Sequence, residues 1–188
     1  MGYINEIRNY EPKNEQEAQD KKVIMHCLTL FPSNILLRDN EIVHMSSSGF
    51  IVNKTADKCL MVHHNIRNAW AFTGGHADGN SNLLEVAIQE AVEETGIKIK
   101  PLSNEIASVE ILTVSEHIKK GCFVNSHLHL NVTYIFVGNE DEKPIVKPDE
   151  NSAVEWISAE KINEPLFAAR DVYLYGKLLQ QARTWLVT

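Results

Sequence analysis

The sequence of 188 residues predicts an α/β fold in which a mixed β-sheet is sandwiched between helices. Three observations support this prediction. Two strand-like runs precede a clearly delimited helix near the middle of the chain, further strand-like runs follow it, and an amphipathic helix closes the chain. With 44% hydrophobic residues, a chain of this length can bury a substantial core as a globular protein.

The first 40 residues are predicted to form a helical N-terminal extension packed on the core, and residues 41–188 to form the main domain. Residues 5–20 are polar and charged, and residues 23–31 form an apolar helical stretch that ends before Pro32. The sequence leaves open whether this extension only packs on the core or also mediates a homodimer.

Beyond residue 41 the pattern changes to strands. Residues 43–53 and 58–64 are apolar runs separated by a short polar turn, which predicts a hairpin. The later predicted elements are strands at 105–115, 127–138 and 153–157, a loop at 119–121, and a closing helix at 170–187. Strands, helix, strands and helix in this order are typical of a sandwich around a mixed sheet.

The central helix has marked ends. Asn82, with Glu85 three residues later, predicts an N-cap and a capping box, and Gly96 predicts a left-handed C-terminal stop. Small and apolar side chains recur at helical spacing, which predicts the face that packs on the core. These residues are Leu84, Ala87, Ile88, Ala91 and Thr95.

Three carboxylates of this helix are the first candidates for chemistry. Glu90, Glu93 and Glu94 are spaced i, i+3 and i+4, which predicts that they project from one edge of the helix. Like charges at this spacing cost roughly a few tenths of a kcal/mol per pair, unless a cation offsets them. Mg²⁺ prefers such oxygen ligands. Taken alone, however, the pattern is more typical of a solvated acidic face.

The residues around these acids resemble the box of the Nudix hydrolases. That box is a glycine, five residues, Glu, seven residues, Arg-Glu, an aliphatic residue, any residue, Glu-Glu, any residue, glycine and an aliphatic residue. The positions that match it are Gly75, Glu90, Glu93, Glu94, Gly96 and Ile97. Ser81 stands in place of the first Glu and Gln89 in place of the Arg.

The resemblance covers about residues 43–160 and implies a Nudix-type α/β/α sandwich. It also implies a Mg²⁺-dependent hydrolase, with Mn²⁺ as an alternative ion, that cleaves the diphosphate linkage of a nucleoside diphosphate derivative. Such substrates include a nucleotide sugar, a dinucleotide or a nucleoside triphosphate. The metal ligands implied are Glu90, Glu93, Glu94 and the Gly75 carbonyl, and Glu150 is the candidate general base from outside the box.

The two departures from the box occur together. In the family the first Glu and the Arg are understood to pair, and loss of both leaves no unpaired charge. Ser81 and Gln89 can still form a hydrogen bond with each other. We therefore expect a neutral brace at this point of the loop.

Five further residues are candidates for substrate binding. His127 and His129 share one face of a strand by alternation, and we expect that face to look toward the central helix and line the cleft. Arg67 could hold a phosphate and Trp70 could stack on a base, although a loop arginine and a core tryptophan are equally good interpretations, and His76 adjoins the glycine pair. The alternative interpretation is that the histidines contact only water or a covering helix.

Composition restricts the partners. The formal net charge of −7 argues against a nucleic-acid polymer as the partner. Three cysteines without C-x-x-C spacing indicate reduced thiols, and neither a signal-peptide run nor a membrane span is visible. We therefore expect a cytoplasmic location.

Two alternative functions remain open at this point. An isomerase of the isopentenyl diphosphate type would share the fold, but its reactive cysteine has no counterpart in the box of this chain. A non-catalytic nucleotide-binding module would keep the fold without turnover, and the departures at Ser81 and Gln89 keep that alternative open.

Overall fold

The computed structural model of the protein describes residues 2–119, 121–163 and 165–187. Within this part of the chain, eight strands form one mixed sheet with helices on both faces, which confirms the predicted α/β sandwich. No helix in these residues has the length and apolar composition required to cross a bilayer.

The helices are α1 (Gly2–Asn9), α2 (Glu15–Leu30), α3 (Leu83–Thr95) and α4 (Ala169–Leu186), with a short 3₁₀ helix at Ala159–Asn163. The strands are β1 (Val43–Val52), β2 (Lys58–His64), β3 (Ala69–Ala71), β4 (Thr73–His76), β5 (Ile99–Pro101), β6 (Ser108–Val114), β7 (His117–Lys119), β8 (Cys122–Val124), β9 (His127–Gly138) and β10 (Asn151–Ser158). The predicted hairpin, the long strand after the helix, and the closing helix are confirmed within a few residues.

The sheet is organised around the parallel pairing of β1 with β9. The order along its main path is β10-β2-β1-β9-β5, with β4 added to β1 and β6 added to β9. Because strand side chains alternate, the two faces of this pair carry separate apolar cores. One core lies under α1, α2 and α3 and includes Leu130 and Val132; the other lies under α4 and includes Phe50 and Ile135.

The N-terminal helices differ from the predicted ones in their limits. The chain breaks between α1 and α2 at a segment that contains Pro12, which cannot continue a helix. Asn14 then caps α2, because its side-chain oxygen accepts a hydrogen bond from the Glu17 amide at 2.9 Å. Ile7 and Ile24 of the two helices are completely buried in the first core.

The loop predicted at residues 119–121 is only part of what the structure contains there. Residues on both sides pair as the two short antiparallel strands β7 and β8, with Gly121 at a positive φ of 81° in the turn. Lys120 lies outside the described residues. The small hairpin was not recognised from the sequence because its strands are three residues long and largely exposed.

The central helix α3 has the predicted caps. The Asn82 side chain accepts a hydrogen bond from the Glu85 amide at 3.2 Å, and Gly96 closes the helix at a φ of 69°. The buried face is rotated from the predicted one: Leu84 and Ile88 are only partly buried. The fully buried residues of the helix are Leu83, Val86, Ala87, Ala91, Glu94 and Thr95.

Candidate active site

Three carboxylates from two different elements come together beside the glycine pair. Glu90 and Glu94 lie one turn apart on α3, and Glu150 lies just before β10. One oxygen of each carboxylate lies within 4.8 Å of the oxygens of the others. Glu150 is held there through its backbone, which accepts from the Asn65 amide and donates to the Lys147 carbonyl, each at 2.9 Å.

The glycine pair of β4 makes room for these acids. The Gly74 amide donates a hydrogen bond to Glu94 Oε1 at 3.0 Å. A Cβ atom at Gly75 would overlap the Glu90 carboxylate, so a side chain at that position would displace the acid. The strand therefore approaches the helix closely because Gly75 lacks a side chain.

Burial and mutual repulsion disfavour charge on two of these acids. Burial raises the pKa of Glu94 to about 8, opposed by the hydrogen bond from Gly74 and assisted by the charges of Glu90 and Glu150. Burial and the Glu150 charge also raise the pKa of Glu90. A cation at this position would reverse both effects, because it favours the ionised carboxylates.

Glu93 does not join this cluster, which corrects the predicted grouping of three acids on one edge of the helix. Successive helical residues are about 100° apart around the axis, so Glu93 lies on the solvent side of Glu90. Its side chain is 45% exposed, accepts a hydrogen bond from Gln89 at 2.9 Å and pairs with Lys147 at 3.2 Å. These two partners lower the pKa of Glu93.

Lys147 is a site residue that the sequence analysis missed. Its ammonium group lies 3.1 Å from Glu150 Oε1 and 3.2 Å from Glu93 Oε2. Although partial burial opposes it, these contacts raise the pKa of Lys147 to about 12. The only signal in the sequence is a lysine three residues before a candidate acid, which by itself is too common to be selective.

A model of the NUDIX domain matches residues 43–178 of this chain. The chain belongs to the Nudix family. It is 30% identical over 110 residues to the m7GpppN-mRNA hydrolase NUDT17 of Xenopus laevis, an alignment that covers 55% of this chain and 36% of that protein. The match thus spans about a third of the length of this curated relative.

Solved structures support the fold alone. A Nudix-family hydrolase of Clostridium perfringens aligns with a TM-score of 0.52 and 22% identity, over 73% of this chain and 96% of that one. A C. elegans Ap4A hydrolase, solved as a binary complex, aligns with a TM-score of 0.51 and 17% identity, over 76% of this chain and 97% of that one.

The Nudix box of this chain is braced differently from the expected neutral pair. Ser81 and Gln89 are both exposed and form no hydrogen bond with each other, since Gln89 bonds Glu93 instead. The predicted Ser81–Gln89 brace is therefore wrong. The loop is held by Arg38, whose guanidinium binds the Asp78 carboxylate with two nearly parallel hydrogen bonds, one of 2.7 Å.

This ion pair links the box loop to a part of the chain that the sequence analysis did not consider. Arg38 comes from the segment before β1, outside the resemblance predicted from the sequence. The positive charge of Arg38 also opposes the rise in the pKa of Glu90. Asp78 adopts a φ of +46°, so a residue type that tolerates the left-handed region is required there.

The histidines of β9 face away from α3, which corrects the predicted orientation. His127 and His129 share a face with Asn131 and Ile135, and Ile135 packs in the core under α4. The β9 residues that pack in the core under α1, α2 and α3 lie on the opposite face of the strand. Alternation along the strand defined the two faces correctly but did not show which helix covers each of them.

These two histidines belong to a cluster of four. His44 of β1 and His76 of β4 join His127 and His129, with neighbouring ring centroids 4.7 to 5.0 Å apart. His76 directly follows Gly75, and successive strand residues point to opposite faces. The histidines and the three acids therefore lie on opposite sides of the same short strand.

Arg67 and Trp70 are not brought to the carboxylates. The Arg67 guanidinium pairs with Asp171 of α4 at 3.3 Å, and Trp70 packs partly buried against the core under α4, edge-on to His63. Within the described residues, neither side chain hydrogen-bonds to the three acids. Their roles in substrate binding stay predictions.

Proposed function

We propose that this Nudix protein is a Mg²⁺-dependent hydrolase that cleaves the diphosphate linkage of a nucleoside diphosphate derivative. The observation that carries the proposal is the convergence of Glu90, Glu94 and Glu150 on one point beside the glycine pair. An all-carboxylate donor set suits a hard divalent cation such as Mg²⁺. The raised pKa values of Glu90 and Glu94 indicate that the protein itself supplies too little positive charge to favour their ionised forms.

Glu90 and Glu94 would hold the ion, with the Gly75 carbonyl as a further oxygen ligand. When bound, Mg²⁺ would supply charge neutralisation at the phosphate oxygens and acidify a water molecule. The Gly74 amide orients Glu94 through its hydrogen bond. The absence of a side chain at Gly75 lets the Glu90 carboxylate approach the backbone.

Glu150 is the proposed general base. It approaches from outside the box helix, so one of its oxygens can accept a proton from a water molecule while the helix acids stay engaged. The Lys147 ammonium group contacts both Glu150 and Glu93 and so holds the two carboxylates in position. Glu93, with its exposed carboxylate, contributes through this contact and not as a ligand.

The class of substrate follows from the family and its relatives. One relative is named as an mRNA-cap hydrolase and one structural neighbour as an Ap4A hydrolase, and both names describe nucleotides joined through phosphates. We propose a small nucleoside diphosphate derivative, since a net charge of −7 disfavours a long polyanion. Arg67 and Trp70 are retained as candidate substrate contacts, whereas His76, His127 and His129 lie on the other side of β4 from the three acids.

The isomerase alternative is disfavoured by the cysteines. Cys59 is completely buried in the core under α4, and burial raises the pKa of its thiol to about 12. Cys27 lies on α2, and Cys122 lies on the exposed strand β8. None of the three is placed on β4 or α3, where the acids converge.

A substrate panel tests the proposal directly. The full chain is incubated with nucleotide sugars, dinucleotides, a cap analogue and nucleoside triphosphates plus Mg²⁺, and the products are identified by mass in ¹⁸O-labelled water. We expect Mg²⁺-dependent cleavage of at least one compound. We also expect a loss of kcat of about 100-fold or more in Glu90→Gln, Glu94→Gln and Glu150→Gln.

Glu93→Gln is the matched control, because it removes a carboxylate of the same helix that lies outside the cluster. We expect it to reduce kcat less than about tenfold. Tight binding of a nucleotide without turnover would instead support the non-catalytic module. Equal losses in Glu93→Gln and Glu94→Gln would contradict the assignment of the ligands.

A further inference from the structure

The four-histidine cluster has the composition and arrangement of a second metal site. His44, His76, His127 and His129 each offer a ring nitrogen, and these four nitrogens lie within 4.8 Å of one another. They come from three different strands, so the sheet itself fixes their relative positions. Imidazole is a ligand preferred by Zn²⁺, Ni²⁺ and Cu²⁺ and not by Mg²⁺.

The hydrogen bonds of two rings to backbone carbonyls fix which ring nitrogen can bind a metal. His44 Nδ1 lies 2.9 Å from the Asn40 carbonyl, and His127 Nδ1 lies 2.8 Å from the Asn125 carbonyl. A carbonyl only accepts hydrogen bonds, so each Nδ1 carries the proton and each Nε2 presents a lone pair. Histidines that bind metals in proteins commonly donate their other N–H in this manner.

His44 provides an independent observation. Its side chain is 96% buried, since only 4% is exposed, and its Nε2 atom has no hydrogen-bond partner among the described residues. A buried polar atom without a partner is costly, and most such atoms in proteins are satisfied. The His44 ring lies 4.9 to 5.0 Å, between ring centroids, from each of the three other imidazoles.

The spacing within the cluster is compatible with tetrahedral coordination. At Zn–N distances of 2.0–2.1 Å, ligand nitrogens are about 3.3 Å apart. His127 Nε2 and His129 Nε2 are already 3.2 Å apart. Rotation of His76 and His129, both partly exposed, can bring the remaining nitrogens inward.

We propose that His44, His76, His127 and His129 bind one late first-row divalent metal ion of the zinc class, at a site separate from the carboxylate cluster. The site goes beyond the proposed Mg²⁺ chemistry and does not depend on it.

The test is a calorimetric titration of Zn²⁺ into the full chain in excess Mg²⁺, followed by the same titration of variants. We expect one Zn²⁺ per chain, and an affinity at least about 100-fold lower in His129→Ala and in His76→Ala. His26→Ala removes an exposed histidine of α2 and is the matched control, with affinity expected within about twofold of the original. A double variant, Glu90→Gln with Glu94→Gln, should also retain Zn²⁺ binding.

Zinc binding that survives in both histidine variants, or that is lost in the glutamate variant, overturns the proposal. So does the absence of Zn²⁺ binding in excess Mg²⁺. Circular dichroism of each variant in chelator verifies folding. X-ray absorption of the zinc-loaded original chain needs no variant: a shell of imidazole nitrogens is expected, and a shell of oxygens overturns the assignment.

Discussion

Glu94→Gln tests the electrostatics of the site without any knowledge of the substrate. Glu94 is 4% exposed, and burial raises its pKa from 4.5 to about 8. Glutamine has nearly the same shape, and its side-chain oxygen can still accept the hydrogen bond from the Gly74 amide. The substitution therefore removes the charge while it preserves the packing.

The size of the effect follows from the two pKa values. The folded chain keeps the Glu94 proton up to about pH 8, whereas the unfolded chain releases it near pH 4.5. Between these values the folded state binds more protons, so the free energy of unfolding falls as the pH rises. At about 1.36 kcal/mol per pKa unit, the loss has an upper bound of about 5 kcal/mol.

In chelator at about pH 8 we expect Glu94→Gln to be more stable than the original chain by roughly 2–4 kcal/mol, because relaxation reduces the upper bound. For a chain of this size that corresponds to a melting temperature higher by roughly 5–15 °C. The difference should fall to less than about 0.5 kcal/mol at pH 4.5, where the folded state is protonated and the unfolded state is about half protonated. Thermal melts from about pH 4.5 to pH 8 measure both limits.

Added Mg²⁺ should narrow this difference and, at about 1,000 times its dissociation constant where the gain is about 4.1 kcal/mol, cancel or reverse it. An ion that binds only the folded state stabilises it by about 2.7 kcal/mol at 100 times its dissociation constant, and the variant lacks one charged ligand. Glu93→Gln is the control, and we expect no pH-dependent gain because its carboxylate is exposed and paired with Lys147. A Glu94→Gln variant that is less stable than the original at pH 8 in chelator would refute the reasoning.

Three further predictions concern the loop and the glycine pair. Gly75→Ala places a methyl group where a box-helix carboxylate lies, and we expect a loss of kcat of about tenfold or more, in steady-state assays, without global unfolding. Arg38→Gln and Asp78→Asn should each cost less than about 1 kcal/mol in denaturant titrations, because the pair is about half exposed, yet both should raise KM. Ser81→Glu and Gln89→Arg should have additive effects on kcat in a double-mutant cycle, since the two side chains do not touch; a coupling above about 0.5 kcal/mol would show that they do.

Local chemistry made the box helix predictable. The Asn82 cap, the Gly96 stop and the spacing of Glu90 and Glu94 depend only on neighbours within one turn of helix. The position of Gly75 was also predictable, because the family pattern requires a glycine there. Such features need no information about how distant parts of the chain pack.

The features that the sequence analysis predicted wrongly or missed depend on contacts between residues that are far apart in the chain. The face of β9 that carries His129 is covered by α4 and not by α3, because β9 pairs in parallel with β1 in a register that alternation cannot reveal. Arg38 reaches Asp78 across 40 residues. Lys147 reaches Glu93 across 54 residues. Partners that far apart are indistinguishable from ordinary surface charges in one sequence.

The N-terminal extension is joined to the rest of the protein by a buried polar network, which argues against treating it as a separable segment. Glu17 of α2 is 1% exposed, accepts hydrogen bonds from Tyr10 and Ser108, and pairs with Lys177 of α4 at 2.8 Å. The same ammonium group pairs at 2.9 Å with Glu110 of β6, which is 2% exposed. Removal of the extension would leave Lys177 with one of its two carboxylates and would expose the apolar core under α2, so the loss would extend to the sheet that carries the site.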